Sequence, residues 1–294
     1  MMTATVRAPG SCGELVQGTL DGVNFLITCP VDLYAEVTVA PGPAGPAAAG
    51  DKTVTAVLRT WDYLGVAREP FAVAARSDLP QGKGMASSSA DIAAACQAAA
   101  LAAGRRLAAA EIADIALAIE PTDGIFFPGI VMFDHVRGLI RRPLGAPPPM
   151  NVLIFDAGGR IDTLEFNRRA DLAALNAVKE DVVRRAVDLV SRGLATGDCA
   201  LIGQAATLSA LANQAILAKP ALPDVIAIAG RHGAVGVNTA HSGTVLGVLF
   251  PGRPAPAAAE ACRDDIVRAC PGLRFLGVAS LISGGLTVIE EGSR

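Results

Sequence analysis

Fourteen residues, Asp78-Leu-Pro-Gln-Gly-Lys-Gly-Met-Ala-Ser-Ser-Ser-Ala-Asp91, constrain this chain more than any other segment. A strand-like run (71–75) leads into a glycine turn, and an alanine-rich helical stretch (87–103) opens with three serines. Gly82 and Gly84 let backbone N–H groups turn toward an anion. A helix N-terminus adds free donors and positive dipole, and the serine hydroxyls suit phosphate oxygen or a hard cation. Lys83, one of four lysines set against twenty-one arginines, lies inside the turn. The segment fails as a Walker A loop because Gly84 follows Lys83. It fails as a dinucleotide fingerprint because Ser87 stands at the third glycine position. A plain helix start with serine caps is the alternative reading, but one cap uses one serine.

Around this loop the pattern is α+β in both halves. Strands are expected at 5–8, 14–17, 24–28 and 34–39, a glycine/proline loop at 41–50, and helices at 52–64, 87–103 and 108–119. A strand pair is expected at 130–134 and 137–141. Pro147-Pro148-Pro149 can continue neither a helix nor a central strand, which divides the chain into 1–148 and 149–294. The second half predicts a strand at 151–156 and helices at 171–192, 198–219, 223–232 and 256–269. Strands are expected at 234–239, 244–250, 274–278 and 286–290.

With 51% hydrophobic and 18% charged residues the chain can bury a core, and a net charge of −3 gives no basic field for nucleic acid. The opening residues hold no signal-peptide core, and the longest apolar run (92–104) is too short to span a membrane. Cys12, Cys29, Cys96, Cys199, Cys262 and Cys270 are scattered, so they read as reduced thiols of a cytoplasmic protein and not as a zinc site or disulfide framework.

The loop resembles the second motif of the GHMP kinases, P-x-x-x-G-L-G-S-S-A. Pro80, Gly84, Ser87 and Ser88 match, Met85 replaces Leu, and Ala86 and Ser89 depart from Gly and Ala. Ala8-Pro-Gly-Ser-Cys-Gly-Glu-Leu-Val-Gln-Gly18 resembles the first motif, and Asn238-Thr-Ala-His-Ser-Gly-Thr-Val-Leu-Gly247 a reduced third motif. Within the family, Ser11–Gly18, Cys29-Pro-Val-Asp32, Glu120-Pro-Thr-Asp-Gly124 and His241-Ser-Gly-Thr244 resemble the L-threonine kinase branch, which makes O-phospho-L-threonine for the aminopropanol linker of cobalamin. The resemblance implies a two-domain fold, ribosomal-protein-S5-like then ferredoxin-like, and an ATP- and Mg²⁺-dependent kinase of a small alcohol. Homoserine or another alcohol as acceptor, and a catalytically silent ligand sensor of the same fold, are the alternatives.

The resemblance also distributes roles. Pro80, Gln81, Gly82, Lys83, Gly84, Met85, Ala86, Ser87, Ser88 and Ser89 form the nucleotide loop, with Lys83 either a point charge on phosphate or turned to solvent. Ser88 and Glu120 are expected to hold Mg²⁺, and Asp123 to accept or orient the acceptor's hydroxyl proton. Pro121-Thr-Asp-Gly124 is equally an ordinary type I turn without the loop upstream. Glu14 is expected to face an amino-acid ammonium or to be a solvated charge, and Asp32 follows the same logic. Ser11 stands where many family members carry a lysine. His241 and Ser242 close over phosphate or substrate, or serve structure alone.

Overall fold

Asp21 and Gly22, both with positive φ (51° and 73°), make the two-residue turn of a long hairpin. It joins β1 (Ala4–Leu20) to β2 (Val23–Pro41). The four short strands expected here are therefore two continuous ones. Gly and Pro residues accompany the register shifts at Pro9/Gly10 and Ser11/Glu14, and a third shift lies at Glu14/Val16. A bulge takes up an extra residue without ending the ladder, so the breaker residues bend these strands instead of stopping them. The computed structural model describes residues 2–43, 49–161, 166 and 168–292. The loop expected at 41–50 lies partly outside them.

The remaining elements are α1 (Asp51–Leu64), β3 (Phe71–Ser77), α2 (Ser87–Ala102), α3 (Ala109–Leu117), β4 (Ile130–Phe133), β5 (Arg141–Gly145) and β6 (Met150–Asp156). Then come α4 (Leu172–Thr196), α5 (Cys199–Ala212), α6 (Leu222–Arg231), β7 (Gly236–Thr239), β8 (Val245–Pro251), α7 (Pro256–Ala269), β9 (Arg274–Leu281) and β10 (Thr287–Glu291). The strand expected at 137–141 lies further on, because Asp134 accepts the amides of Val136 and Arg137 and makes 134–140 a turn. The helix expected to reach residue 219 stops at Ala212 and tightens into a 3₁₀ turn at Asn213–Ala215.

Ten strands form one sheet in the order β10-β1-β7-β8-β6-β9-β2-β4-β5, with β3 on β2. β1 also pairs with β2, so the hairpin runs through both halves and carries the sheet past the three prolines between β5 and β6. Helix α2 is buried on nearly every side. Its alanines let it lie close against β1, β2 and α1, where a helix of larger residues would not fit. Trp61 of α1 seals that contact by donating its indole N–H to Ala99 O at 3.0 Å. The segment leading into α2 is fixed on β1, where the Ser11 and Gly13 amides donate to Met85 O and Gly84 O at 3.1 Å each.

Candidate active site

The α2 N-terminus opens into a cleft of about 700 Å³, with Gly82, Gly84 to Ser89, Glu120 and Asp123 among its lining residues. Gly82 (φ 69°) and Gly84 (φ 82°) adopt conformations that suit glycine, and Ala86 is held at φ 56° in the same left-handed region. No side chain caps α2. The serines therefore do not act as caps, and the first-turn amides are left without side-chain acceptors. Instead the Ser88 hydroxyl donates to Glu120, whose second oxygen receives the Lys52 ammonium. The Ser89 hydroxyl donates to Asp123 Oδ2 at 3.2 Å and accepts the Asp123 amide at 3.0 Å. Successive serines of one helical turn thus orient the two carboxylates of the 120–124 segment.

Burial pushes the Asp123 carboxyl up to about 7, with the charges of Glu14 and Glu120 adding to the shift and the Ser89 hydroxyl opposing it. A carboxylate so placed is poised to take a proton near neutral pH. Glu14 is also lifted to about 7, by burial, against the pull of the His241 amide and the Lys219 and Lys179 ammonium groups. Its Oε2 accepts the His241 amide at 2.8 Å and faces His241 Nδ1 at 3.2 Å. His241 is buried and held neutral well below its ordinary value, by burial and then by Lys179 and Lys219. Its Nε2 meets Ser209 Oγ at 3.1 Å.

The expected site residues divide into two groups. Glu14, Gln81, Gly82, Gly84, Met85, Ala86, Ser87, Ser88, Ser89, Glu120, Asp123 and Ser242 line the cleft. Pro80, Lys83, Ser11, Asp32 and His241 are not among its lining residues. Lys83 turns neither to the cleft nor to solvent. Its ammonium lies 2.8 Å from Asp156 Oδ2 and donates to Gly159 O at 2.6 Å. Ser11 holds the loop by its backbone, donating its amide to Met85 O at 3.1 Å. Asp32 is exposed and accepts the Ser280 amide at 2.7 Å, which spends it on joining β2 to β9. His241 stands behind Glu14 as its hydrogen-bond partner.

Sequence reasoning passed over Gln17, Leu26, Lys52, Asp91, His135 and Arg160, all of which line the cleft. It also missed Lys179 and Lys219, buried near Glu14. One signal was available. In a chain that otherwise uses arginine, all four lysines stand in or beside this site.

The cleft presents free helix-terminal amides, a hydroxyl–carboxylate pair and a raised carboxylate, the set a phosphoryl transfer to an alcohol requires. Two family models match the chain, "GHMP kinases N terminal domain" over residues 51–127 and "GHMP kinases C terminal" over 190–267. An L-threonine kinase of Salmonella typhimurium is 35% identical over 249 residues, 84% of this chain and 83% of that protein. An L-threonine kinase of Citrobacter freundii is 33% identical over 84% of this chain and 86% of its own. Among solved structures, homoserine kinase from Cytophaga hutchinsonii superimposes with a TM-score of 0.70 at 18% identity, covering 98% of each chain.

Proposed function

The chain belongs to the GHMP kinase family, and we propose that it is an ATP-dependent kinase that phosphorylates the side-chain hydroxyl of L-threonine. The products are O-phospho-L-threonine and ADP. One observation carries the reading: the raised Asp123 carboxyl and the Ser88–Glu120 pair meet at the N-terminus of α2, in one cleft with Glu14. The named relatives support threonine as acceptor. So does the cleft, since Glu14 offers an α-amino acid the carboxylate its ammonium group needs. By the same resemblance, the product serves the aminopropanol linker of cobalamin.

The first-turn amides of α2 and the Gly82–Gly84 turn bind the nucleotide phosphates. Asp123 orients the acceptor hydroxyl and takes its proton as the threonine O–P bond forms and the bond to ADP breaks. Ser89 fixes the carboxylate for that step from both its hydroxyl and the Asp123 amide. The chemistry of Ser88 and Glu120 suits Mg²⁺, a hard cation usually held by one or two carboxylates plus substrate phosphates. Glu120 already draws the Lys52 ammonium, evidence of its pull on a cation. Mg²⁺ held there would neutralise charge on the transferring phosphoryl group.

ADP release from Mg·ATP across L-threonine, L-serine, L-homoserine, D-threonine, mevalonate and galactose tests the assignment. Turnover concentrated on L-threonine is expected. Preference for another alcohol overturns the acceptor, and silence on all of them with ATP bound overturns the kinase reading.

A further inference from the structure

On one face of the sheet, acceptor atoms gather beneath the cleft without partners in the protein. Gln17 Oε1 and His135 Nδ1 are buried and make no hydrogen bond. Both bonds to the Glu14 carboxylate go to Oε2, so among the described residues Oε1 accepts none. Such orphans are rare in folded proteins, because a buried acceptor that has given up water loses its solvation with nothing in return. Where they line a cleft, a ligand is the missing partner.

Register brings the three together. Glu14 pairs with Thr28, Val16 with Ile27 and Gln17 with Leu26, with a shift between Glu14 and Val16. Without the shift, residues three apart on a strand would point to opposite faces. With it, Glu14 and Gln17 face the same way, opposite β2 residues two apart. Leu26 pairs in turn with Phe133 of β4, and His135 follows two residues on. Glu14, Gln17, Leu26 and His135 all line the cleft. Two other orphan oxygens there belong to Asp91 on α2 and to Thr122, whose amide donates to His135 O at 3.0 Å and whose hydroxyl, unlike the three acceptors, can itself donate.

We infer that Glu14 Oε1, Gln17 Oε1 and His135 Nδ1 form the subsite for the acceptor's α-ammonium group, one acceptor for each of its three N–H donors. This deepens the threonine kinase reading and rests on it. A carboxylate, an amide carbonyl and an imidazole lone pair, with the His135 proton on Nε2, repel a carboxylate and match an ammonium. Burial holds His135 down at about 4, so it offers a lone pair and no competing charge at working pH. Leu26, between Gln17 and Phe133 in register, gives the same face an apolar wall beside the ammonium.

The test compares L-threonine with (R)-3-hydroxybutanoate, which keeps the hydroxyl and carboxylate and lacks the amine. Steady-state kinetics are measured for the wild type, Gln17→Leu, His135→Phe and His135→Gln, the last returning an acceptor. Each apolar variant is expected to raise the KM for L-threonine about tenfold, the worth of one hydrogen bond to a charged group. The KM for ATP and all constants for (R)-3-hydroxybutanoate should move less than about twofold on this account, and His135→Gln should recover part of the loss. Equal losses on both acceptors, or an unchanged KM for L-threonine, overturn the subsite. Half-buried Gln17 keeps the test in force if His135→Phe does not fold. A wild type that phosphorylates (R)-3-hydroxybutanoate as well as L-threonine overturns the subsite and leaves the kinase standing. A wild type that turns over neither overturns both readings.

Discussion

The Lys83 ammonium lies 2.8 Å from the Asp156 carboxylate and so ties the glycine turn before α2 to the end of β6 in the other half of the chain. Thr244 completes the tie, donating its hydroxyl to Asp156 Oδ1 at 2.6 Å and its amide to Lys83 O at 2.8 Å. Arg160, just beyond, lies over Gly82 so closely that a Cβ there would meet its Cγ at 2.4 Å. The phosphate loop is therefore shaped from both sides of the cleft. Lys83 is engaged with Asp156 and Gly159 and does not line the cleft.

Lys83→Met should lower stability by about 2 kcal/mol, since it leaves a buried carboxylate with hydrogen bonds from Thr244 and Gly158 alone and with Arg274, 3.8 Å from Oδ2, as its one cationic neighbour among the described residues. Burial raises Asp156, but the Lys83 and Thr244 hydrogen bonds outweigh it and hold its carboxyl below the usual range. The sign follows from that: the contribution is present above the unfolded value near about 4 and is lost as pH falls through the lower folded value. Urea denaturation of the wild type and Lys83→Met should therefore differ at neutral pH and converge in acid. The KM for ATP should rise in the variant while the KM for the acceptor holds.

Asp123→Asn should cut kcat by about 10²- to 10⁴-fold and leave ATP binding within about twofold, as expected for removal of a proton acceptor. In the wild type, kcat should climb with pH through about 7, where the buried carboxyl ionises. Glu14, also near 7, couples to it, so the acid limb belongs to the pair. Glu14→Gln should move that limb to lower pH, because it removes a negative charge that raises Asp123.

The same substitution should stabilise the fold in base. Asp123 is raised in the folded state, so stability is full below its unfolded value and lost as pH rises through about 7. Asp123→Asn should gain as much as about 3 kcal/mol at alkaline pH, less the cost of disturbing the Ser89 bond, and little in acid. Melting temperatures at the two pH extremes check it, and a gain confined to acid would contradict the burial account.

How much of this was readable follows from how local each feature is. The glycine turn and serines are contiguous, and their chemistry is set within one turn of helix, so the loop stood out from sequence alone. Glu14, Glu120 and Asp123 needed the family resemblance, since each lies in a segment that also reads as an ordinary strand or turn. Gln17 and His135 depended on a bulge and a cross-strand register that no local pattern announces. On α4 the helical pattern held, with Val183, Ala186, Val187, Val190 and Leu194 buried, but it did not single out Lys179, which is buried on the same face while its neighbour Val178 is 87% exposed. Lys179 lies on the apolar stripe one turn before Val183 and donates to Asn213 Oδ1 at 2.9 Å, a partner far along the chain that helical spacing does not reveal.

Ala86→Gly should raise stability by about 0.5–1 kcal/mol, because an alanine at φ 56° carries a steric cost that glycine does not. The greater freedom of unfolded glycine offsets part of that gain. Its position is the one where the family pattern has glycine. Thermal melting should show an upward shift of roughly 2 °C, and Ala86→Val, β-branched at the same φ, should move the other way.

Lys219→Met should move the pH dependence of acceptor binding, set in the wild type by Glu14 near about 7, to higher pH. The Lys219 ammonium donates to Ala240 O at 2.6 Å, and with Lys179 it pulls the Glu14 carboxyl down against burial. Of the other groups around Glu14, Lys179 and Asp123 carry charge that couples to it. His241 is neutral, burial lifts the Cys12 and Cys29 thiols far above neutrality, and Asp123 is half titrated near the same pH. Without Lys219, Glu14 rises above about 7 and is mostly protonated at neutral pH, when a neutral carboxyl attracts the acceptor's ammonium weakly. The KM for L-threonine should therefore rise several-fold at neutral pH and fall back toward the wild-type value as pH is raised further and Glu14 ionises again. In the wild type, Lys219 itself is lowered by burial to about 8, so its help fades over that same interval and the two curves approach each other from opposite sides. The KM for ATP should not follow this pattern. A pH-independent loss in Lys219→Met would instead mean that the lysine serves packing around Ala240 and not the charge on Glu14.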